Sequence, residues 1–364
     1  MIPSYRVIQW ATGSVGREAL RAVLAHPQLE LAGVRVYSAE KEGRDAGELC
    51  GMPPTGVRAT QSSAALLATD ADCVLYMPRR ADLDEVSALL ASGKNVIATP
   101  FLFYGHAYPE AERARLERAC EQGKSSVHGT GIHPGLVGTV LPLALSGLSR
   151  RIERLTIQER ANWSLYDSPR ITFDNMRFGA PPEQATLEAN PFARWNSQLF
   201  SQQIWLLADG LHARIDRVTE EQELVTAAQR CEIRGGVIEA GTVSGQRYRW
   251  RGVAGERTLI EIEALWTVGP DYPERWPRPR DGWTIQIEGE PSAQLHFISL
   301  ASFARRDVPI AEHVHAADIA TAMHAVNAVP AVCDAPPGIR SALDLPLTRA
   351  GIGFGMTGIS RRLE

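Results

Sequence analysis

The stretch "VIQWATGSVGREALRAVL" sets Gly13 and Gly16 in G-x-x-G spacing between an apolar run and a helical pattern. A turn of this kind offers the backbone N–H groups of Gly13, Ser14, Val15 and Gly16 at a helix start, where donors and helix dipole together hold a pyrophosphate. The missing side chain at Gly13 lets the backbone approach the phosphates, and that at Gly16 lets the helix pack on the strand. Ala11 stands where the longer G-x-G-x-x-G pattern has its first glycine, and alanine is small enough for that place. The second apolar run ends in "VYSAEKEGR", where a site for a free ribose would carry an acid. Ser38 occupies that place, with Lys41 and Arg44 after it, and a hydroxyl beside cations suits a 2′-phosphate. The expected cofactor is therefore NADP, with NAD kept open by Glu40 and Glu42.

Groups able to move a proton or grip a substrate fall in three further places. His133, in "GTGIHPG", sits in a glycine-flanked loop and is the first candidate for a proton donor. Tyr104 and His106, in "FYGHAY", could line the same cleft. The stretch "ERANWSLYDSP" gathers Glu159, Arg160, Asn162, Trp163, Tyr166 and Asp167, which supply acids, an anion fork, an amide and aromatic rings. Strand alternation puts Arg160 and Asn162 on one face, suited to a carboxylate or carbonyl. "EHVH" sets His313 and His315 on one side of an extended segment, yet a loop leading into a helix is the expected reading and no metal is called.

These groups need a frame. Through about residue 130 strand and helix signals alternate, and "DCVLYMP", "KNVIATP" and "SSVHGTG" read as buried strands. Asp82 is expected to cap the helix "ADLDEVSALLASG" and Gly93 to stop it. Such alternation predicts an N-terminal doubly wound parallel sheet over residues 1–135, completed by a C-terminal helix at about 316–350. Residues 136–315 read differently. "RIERLTIQER", "ELVTAAQRCEI", "GQRYRWRGV", "RTLIEIEALWTV", "GWTIQIEGE" and "SAQLHFISL" alternate with period two, around one helical stretch, "NSQLFSQQIWLLADGLHARI". A mixed, mostly antiparallel α/β second domain for substrate binding and dimerisation follows. The tail "GIGFGMTG" mimics a nucleotide loop without a strand before it, and reads as a docked or mobile tail.

At 364 residues the chain suits two domains, and 38 basic against 42 acidic residues are scattered rather than grouped into a basic stripe. Nucleic acid is thus not an expected partner. No apolar run is read as long enough to cross a membrane and no secretion signal is read at the start, so a cytoplasmic protein is expected. Five widely spaced cysteines argue against a disulfide framework, and Cys73 and Cys333 are expected as buried fillers. Of Trp163, Trp195, Phe200, Trp205, Trp266, Trp276 and Trp283 some must be core, and a surplus around a cleft would suit a bulky hydrophobic substrate.

Together, "VIQWATGSVGREALRAVLAHPQLELAGV", "GRDAGELCG", "NVIATPFLFYGH", "HGTGIHPGLV" and "YDSP" resemble the dihydrodipicolinate-reductase-like oxidoreductases, in the branch of diaminopentanoate dehydrogenase and the native amine dehydrogenases. The resemblance implies a Rossmann domain, a homodimer, and hydride transfer between NAD(P)H and a C=O or C=N carbon of a small substrate. It implies Gly13, Ser14, Val15 and Gly16 at the pyrophosphate, Ser38 and Lys41 at the adenosine end, and Pro78, Thr99 and Gly131 beside the cofactor. The chain departs from the pattern at "TPFLFYG", where Pro100 and Phe101 replace the glutamate of characterised amine dehydrogenases. Catalysis is then expected from His133, with Glu159 and Tyr166 in support. One alternative is an amine dehydrogenase in which Glu159 or Asp167 replaces the missing acid. A non-catalytic NADP-binding sensor is the other.

Overall fold

The computed structural model describes residues 4–101, 103–166 and 168–351. Asp167 and nearly all of the glycine-rich tail therefore lie outside the described residues. The chain divides into two units, Met1–Leu136 with Asp318–Glu364, and Val137–Ala317.

In chain order the first unit runs β1 (Tyr5–Trp10), α1 (Ser14–Ala25), β2 (Leu29–Arg35), α2 (Ala46–Cys50), β3 (Ala59–Thr60) and α3 (Ser63–Ala68). It continues with β4 (Cys73–Tyr76), α4 (Leu83–Ala91), β5 (Asn95–Ala98), α5 (Glu110–Gly123) and β6 (Ser126–Gly129). The second unit holds α6 (Leu141–Ser146), β7 (Arg151–Asn162), α7 (Pro191–Gly210), β8 (Arg217–Thr226), β9 (Cys231–Ile233) and β10 (Gly236–Ile238). β11 (Val243–Ala254), β12 (Arg257–Thr267), β13 (Gly282–Glu290) and β14 (Ala293–Phe297) follow there, then α8 (Ile310–Val326); α9 (Val329–Cys333) and β15 (Gly338–Arg340) belong to the first unit. The boundary between units falls inside α8.

In the first unit, seven strands lie in the order β15-β6-β5-β4-β1-β2-β3, every pair parallel. Both faces are buried, as parallel strands of near-continuous apolar sequence require. Val7 and Leu75 pack with Leu20 and Val23 of α1 and with Val326, Val329 and Val332 of the C-terminal helices. Ile8, Trp10 and Tyr76 pack on the opposite face with Leu89 and Leu90 of α4 and Leu116 of α5. Asp82 caps α4 by accepting from the backbone N–H groups of Asp84 and Glu85, and Gly93 follows it at φ +89°. α1 begins differently, on Gly13, with no side-chain cap and no acid in its first turn.

The second unit is built on a six-stranded sheet, β14-β13-β7-β12-β11-β8, mixed because β7 and β12 are parallel while the other pairs are antiparallel. Leu155, Ile157, Ile262, Trp250 and Ile285 form its apolar face, against which α7 stacks Phe200 on Trp250 at 4.2 Å. The opposite face is an ionic ladder. Arg247, Arg249 and Arg251 of β11 pair with Glu221 and Glu223 of β8 and with Glu261 and Glu263 of β12.

Four sequence expectations are corrected. "ELVTAAQRCEI" is two strands, because β8 ends at Thr226 and a turn precedes β9. His313 and His315 lie inside α8; two residues apart on a helix, they point about 200° apart rather than to one side. Ile310–Cys333 is, by length and composition, long and apolar enough to cross a membrane. It is nevertheless interrupted after Val326, and Ala322, Ala325, Val329 and Val332 are fully buried in the first unit's core. Finally, Cys73 is buried but Cys333 only half so.

Candidate functional site

The first unit ends β1 in a loop shaped to receive an anion. Ala11 turns the chain at φ +78°, in the left-handed region where glycine is at home, and its carbonyl accepts a 2.9 Å bond from the buried Gln9 amide. Gly16 is held against that carbonyl so closely that a Cβ there would lie 2.3 Å from Ala11 O. Gly13 is exposed, and a Cβ on it would meet nothing within 4 Å. One glycine therefore serves helix–strand packing, while the other keeps the space above the loop clear. The N–H groups of Ser14, Val15 and Gly16 precede the first intrahelical donor, Arg17, which bonds Gly13 O at 2.9 Å. Donors at an uncapped helix start and empty space above them fit a dinucleotide pyrophosphate.

Cations surround this loop. Lys41, in the short turn after β2, donates to Thr12 O at 2.9 Å and to Thr12 Oγ1 at 3.1 Å. Its ammonium sits below the usual lysine range, first through burial and then through the nearby Arg17 and Arg44. Ser38 is exposed and caps nothing with its side chain. Glu42 accepts from Thr60 Oγ1 and Gln61 N and so belongs to β3, whereas Glu40 faces solvent.

At the far strand ends, Pro78 and Thr99 are half-buried, with Met77 N bonded to Trp10 O at 3.0 Å and Thr99 N to Tyr76 O at 3.2 Å. The "GTGIHPG" loop is tied down at Thr130, whose N–H donates to Ala98 O at 2.8 Å and whose hydroxyl bonds His324 Nδ1 at 2.6 Å. Gly131 then turns at φ +151°, and His133 breaks the following helix with extended angles, half-buried. Tyr104 is buried and His106 exposed, their rings 5.3 Å apart.

The second unit makes its own cluster at the end of β7. Glu159 lies directly across from Trp283 on β13 and beside Ala264 on β12, two residues short of Trp266. Alternation thus puts all three side chains on one face. Trp266 Nε1 donates to Glu159 Oε1 at 2.7 Å and Trp283 Nε1 donates to Oε2 at 3.0 Å. Indoles only donate, so both carboxylate oxygens act as acceptors. Trp163 packs edge-on to Tyr166 at 4.9 Å and to Trp266 at 6.3 Å, and its own Nε1 is buried with no hydrogen-bond partner. The result is a fixed, half-buried acid in an aromatic surround.

Comparison with known proteins bears on these two halves. A family profile described as "Dihydrodipicolinate reductase, N-terminus" matches residues 7–99, and one described as "2,4-diaminopentanoate dehydrogenase C-terminal domain" matches residues 198–359. An amine dehydrogenase of Streptomyces virginiae is 32% identical over 95% of this chain and 97% of its own. The chain belongs to this oxidoreductase family. A 2,4-diaminopentanoate dehydrogenase of Acetoanaerobium sticklandii is 23% identical over 77% of this chain and 74% of its own. Among solved structures, an amine dehydrogenase from Mycobacterium smegmatis shares the fold at TM-score 0.74 and 19% identity, covering 95% of this chain and 97% of that one. The protein is an NAD(P)-dependent oxidoreductase.

Family membership sharpens the departures. Phe101, in the segment where the resemblance leads one to expect an acid, is 2% exposed and packs in the core with Tyr76. Arg160 and Asn162 do not join Glu159. The Arg160 guanidinium stacks 4.5 Å over Tyr272, donates to Pro279 O at 2.8 Å and pairs with Asp281 at 3.2 Å. Asn162 is exposed and caps the turn at Ser164. Sequence reading did not reach Trp266 and Trp283 as partners of Glu159, because each lies more than a hundred residues away and only strand register brings them there. Among the described residues no group of three or more His, Cys, Asp or Glu side chains is placed to hold a metal ion.

Proposed function

We propose that this enzyme prefers NADPH and works on the carbon–nitrogen centre of a small hydrophobic amine, with Glu159 meeting the cationic nitrogen. Hydride from the reduced nicotinamide would add to an iminium carbon while the C=N π pair moves onto nitrogen, and the amine product would then take up a proton. The observation that carries this reading is the Glu159 carboxylate, fixed by the indoles of Trp266 and Trp283, the first of which packs on Trp163. An anion set among apolar rings suits an ammonium or iminium better than a neutral carbonyl. Glu159 then takes the part of the acid missing at Pro100 and Phe101. Similarity to the Streptomyces virginiae amine dehydrogenase over nearly the whole chain supports the same chemistry.

NADPH preference rests on Lys41, Arg17 and Arg44 about the loop and on the commitment of Glu42 elsewhere. We read the working form as a homodimer, as the family resemblance implies, and place it in the cytoplasm. Light scattering of the purified protein is expected to give twice the chain mass.

The test is NADPH oxidation with ketones and aldehydes, with and without ammonium, for the native chain and for Glu159→Gln. Ammonium-dependent turnover is expected, reduced at least a hundredfold in the variant, the usual scale for losing a positioned acid–base group. Unimpaired turnover of Glu159→Gln would refute the role given to Glu159. A second reading, carbonyl reduction supported by His133 as donor, draws on its extended place in the "GTGIHPG" loop. Ammonium-independent turnover lost in His133→Ala would favour it.

A further inference from the structure

Where β1, β2 and β4 end, three aromatic side chains share one carboxylate. Glu85 Oε2, in the first turn of α4, accepts from Tyr37 Oη at 3.0 Å, Tyr76 Oη at 3.0 Å and Trp10 Nε1 at 3.2 Å. Trp10 Nε1 also reaches Tyr37 Oη at 3.1 Å, and Gln61 Nε2 holds the Tyr37 carbonyl at 2.8 Å. The Arg35 guanidinium, at the last residue of β2, lies 4.6 Å from the Tyr37 ring centroid. Trp10 and Tyr76 are sealed in the core, yet Tyr37 is 48% exposed.

An exposed aromatic ring is ordinarily loose. Tyr37 is instead pinned at its hydroxyl, at its backbone and on one face by a cation, which leaves the other face presented and already ordered. Ordering a side chain is one of the costs of binding, so a ring prepared in this way is suited to receive a flat partner. Its place in the chain names that partner. Tyr37 directly precedes the Ser38–Lys41 turn, and Lys41 is bonded back to Thr12 in the pyrophosphate loop.

We propose that Tyr37 is the platform on which the adenine ring of the cofactor stacks, with Arg35 and Glu85 as its positioning residues. The inference rests on the reading that the first unit holds a dinucleotide. It adds a side chain that recognises the base, a part of the cofactor to which neither the glycine loop nor Lys41 speaks.

The experiment is calorimetric titration of NADPH, 5′-AMP and reduced nicotinamide mononucleotide, which lacks adenosine, into the native chain, Tyr37→Ala and Tyr37→Leu. Both variants are expected to bind NADPH and 5′-AMP about five- to a hundredfold more weakly, the range for removing one base–aromatic stack. Their affinity for the mononucleotide should stay at the native value. Unchanged 5′-AMP affinity in either folded variant would overturn the platform, and so would an equal loss for all three ligands, which would mark Tyr37 as a structural support of the loop. Native chain that binds neither NADPH nor 5′-AMP would overturn the dinucleotide reading and this inference with it.

Discussion

Lys41 and Gly13 make opposite contributions to the proposed anion site, and substitution separates them. Lys41→Ala removes a cation bonded to Thr12 and is expected to weaken NADPH about tenfold, some 1.4 kcal/mol, while NADH changes little. Equal losses for both cofactors, measured by fluorescence titration, would assign Lys41 to the pyrophosphate alone. Gly13→Asp fills open space with negative charge and should abolish binding of either cofactor at an unchanged melting temperature. Legibility varied at this scale. The spacing of Gly13 and Gly16 and the cations after β2 were readable because glycine and charge announce themselves. The commitment of Arg160 to Pro279 and Asp281 was not, since a free and a paired guanidinium look alike in sequence.

At the scale of elements, the β1–α1 turn joins two residues under opposite steric demands. Ala11 carries a side chain at φ +78°, a conformation that costs an L-residue about 1–2 kcal/mol. Ala11→Gly is therefore expected to stabilise the chain by up to about 1 kcal/mol, after glycine's larger loss of freedom on folding is deducted. Gly16→Ala should do the reverse, because its Cβ would press on Ala11 O, and overpacking of this kind costs about 1–3 kcal/mol. Urea unfolding of the two variants tests the pair, and a stabilising Gly16→Ala would refute the packing account. Sequence predicted a relaxed first glycine, but not that alanine keeps glycine's backbone angle. It also missed the first half of β8. "RVTEEQ" lacks apolar alternation because its inward residues opposite Trp250 and Tyr248 are polar: Glu220 accepts from Ser197 Oγ and Gln222 Nε2 donates to Tyr248 Oη, while outward Glu221 pairs with Arg249 and Arg251.

Across the whole molecule, strand–helix alternation made the parallel sheet legible, since each buried strand is a short apolar run bounded by turn residues. What alternation cannot reveal is how the C-terminal return closes on it. There β6 and α8 bury two histidines. His128 Nδ1 donates to Arg340 O at 2.8 Å, and His324 Nδ1 bonds Thr130 Oγ1 at 2.6 Å. Burial, and then the nearness of His128, push His324 down to about 4; burial also lowers His128, against weaker raising effects of its bond to Arg340 O and of Asp344. The unfolded chain protonates His324 near pH 6.5, the folded chain only near 4. Stability is thus full above about pH 6.5 and falls as pH drops toward 4, by about 3 kcal/mol for His324. The melting midpoint should fall over that interval, and His324→Asn should flatten the slope. An unchanged slope in the variant would contradict this.

The central claim is that Glu159 gives this chain chemistry at a carbon–nitrogen centre. The most direct measurement is the rate of NADPH oxidation with a hydrophobic ketone as ammonium is titrated, in native chain and Glu159→Gln. The rate is expected to rise from near zero to saturation with ammonium and to collapse in the variant. A rate independent of ammonium and equal in the two proteins would contradict it.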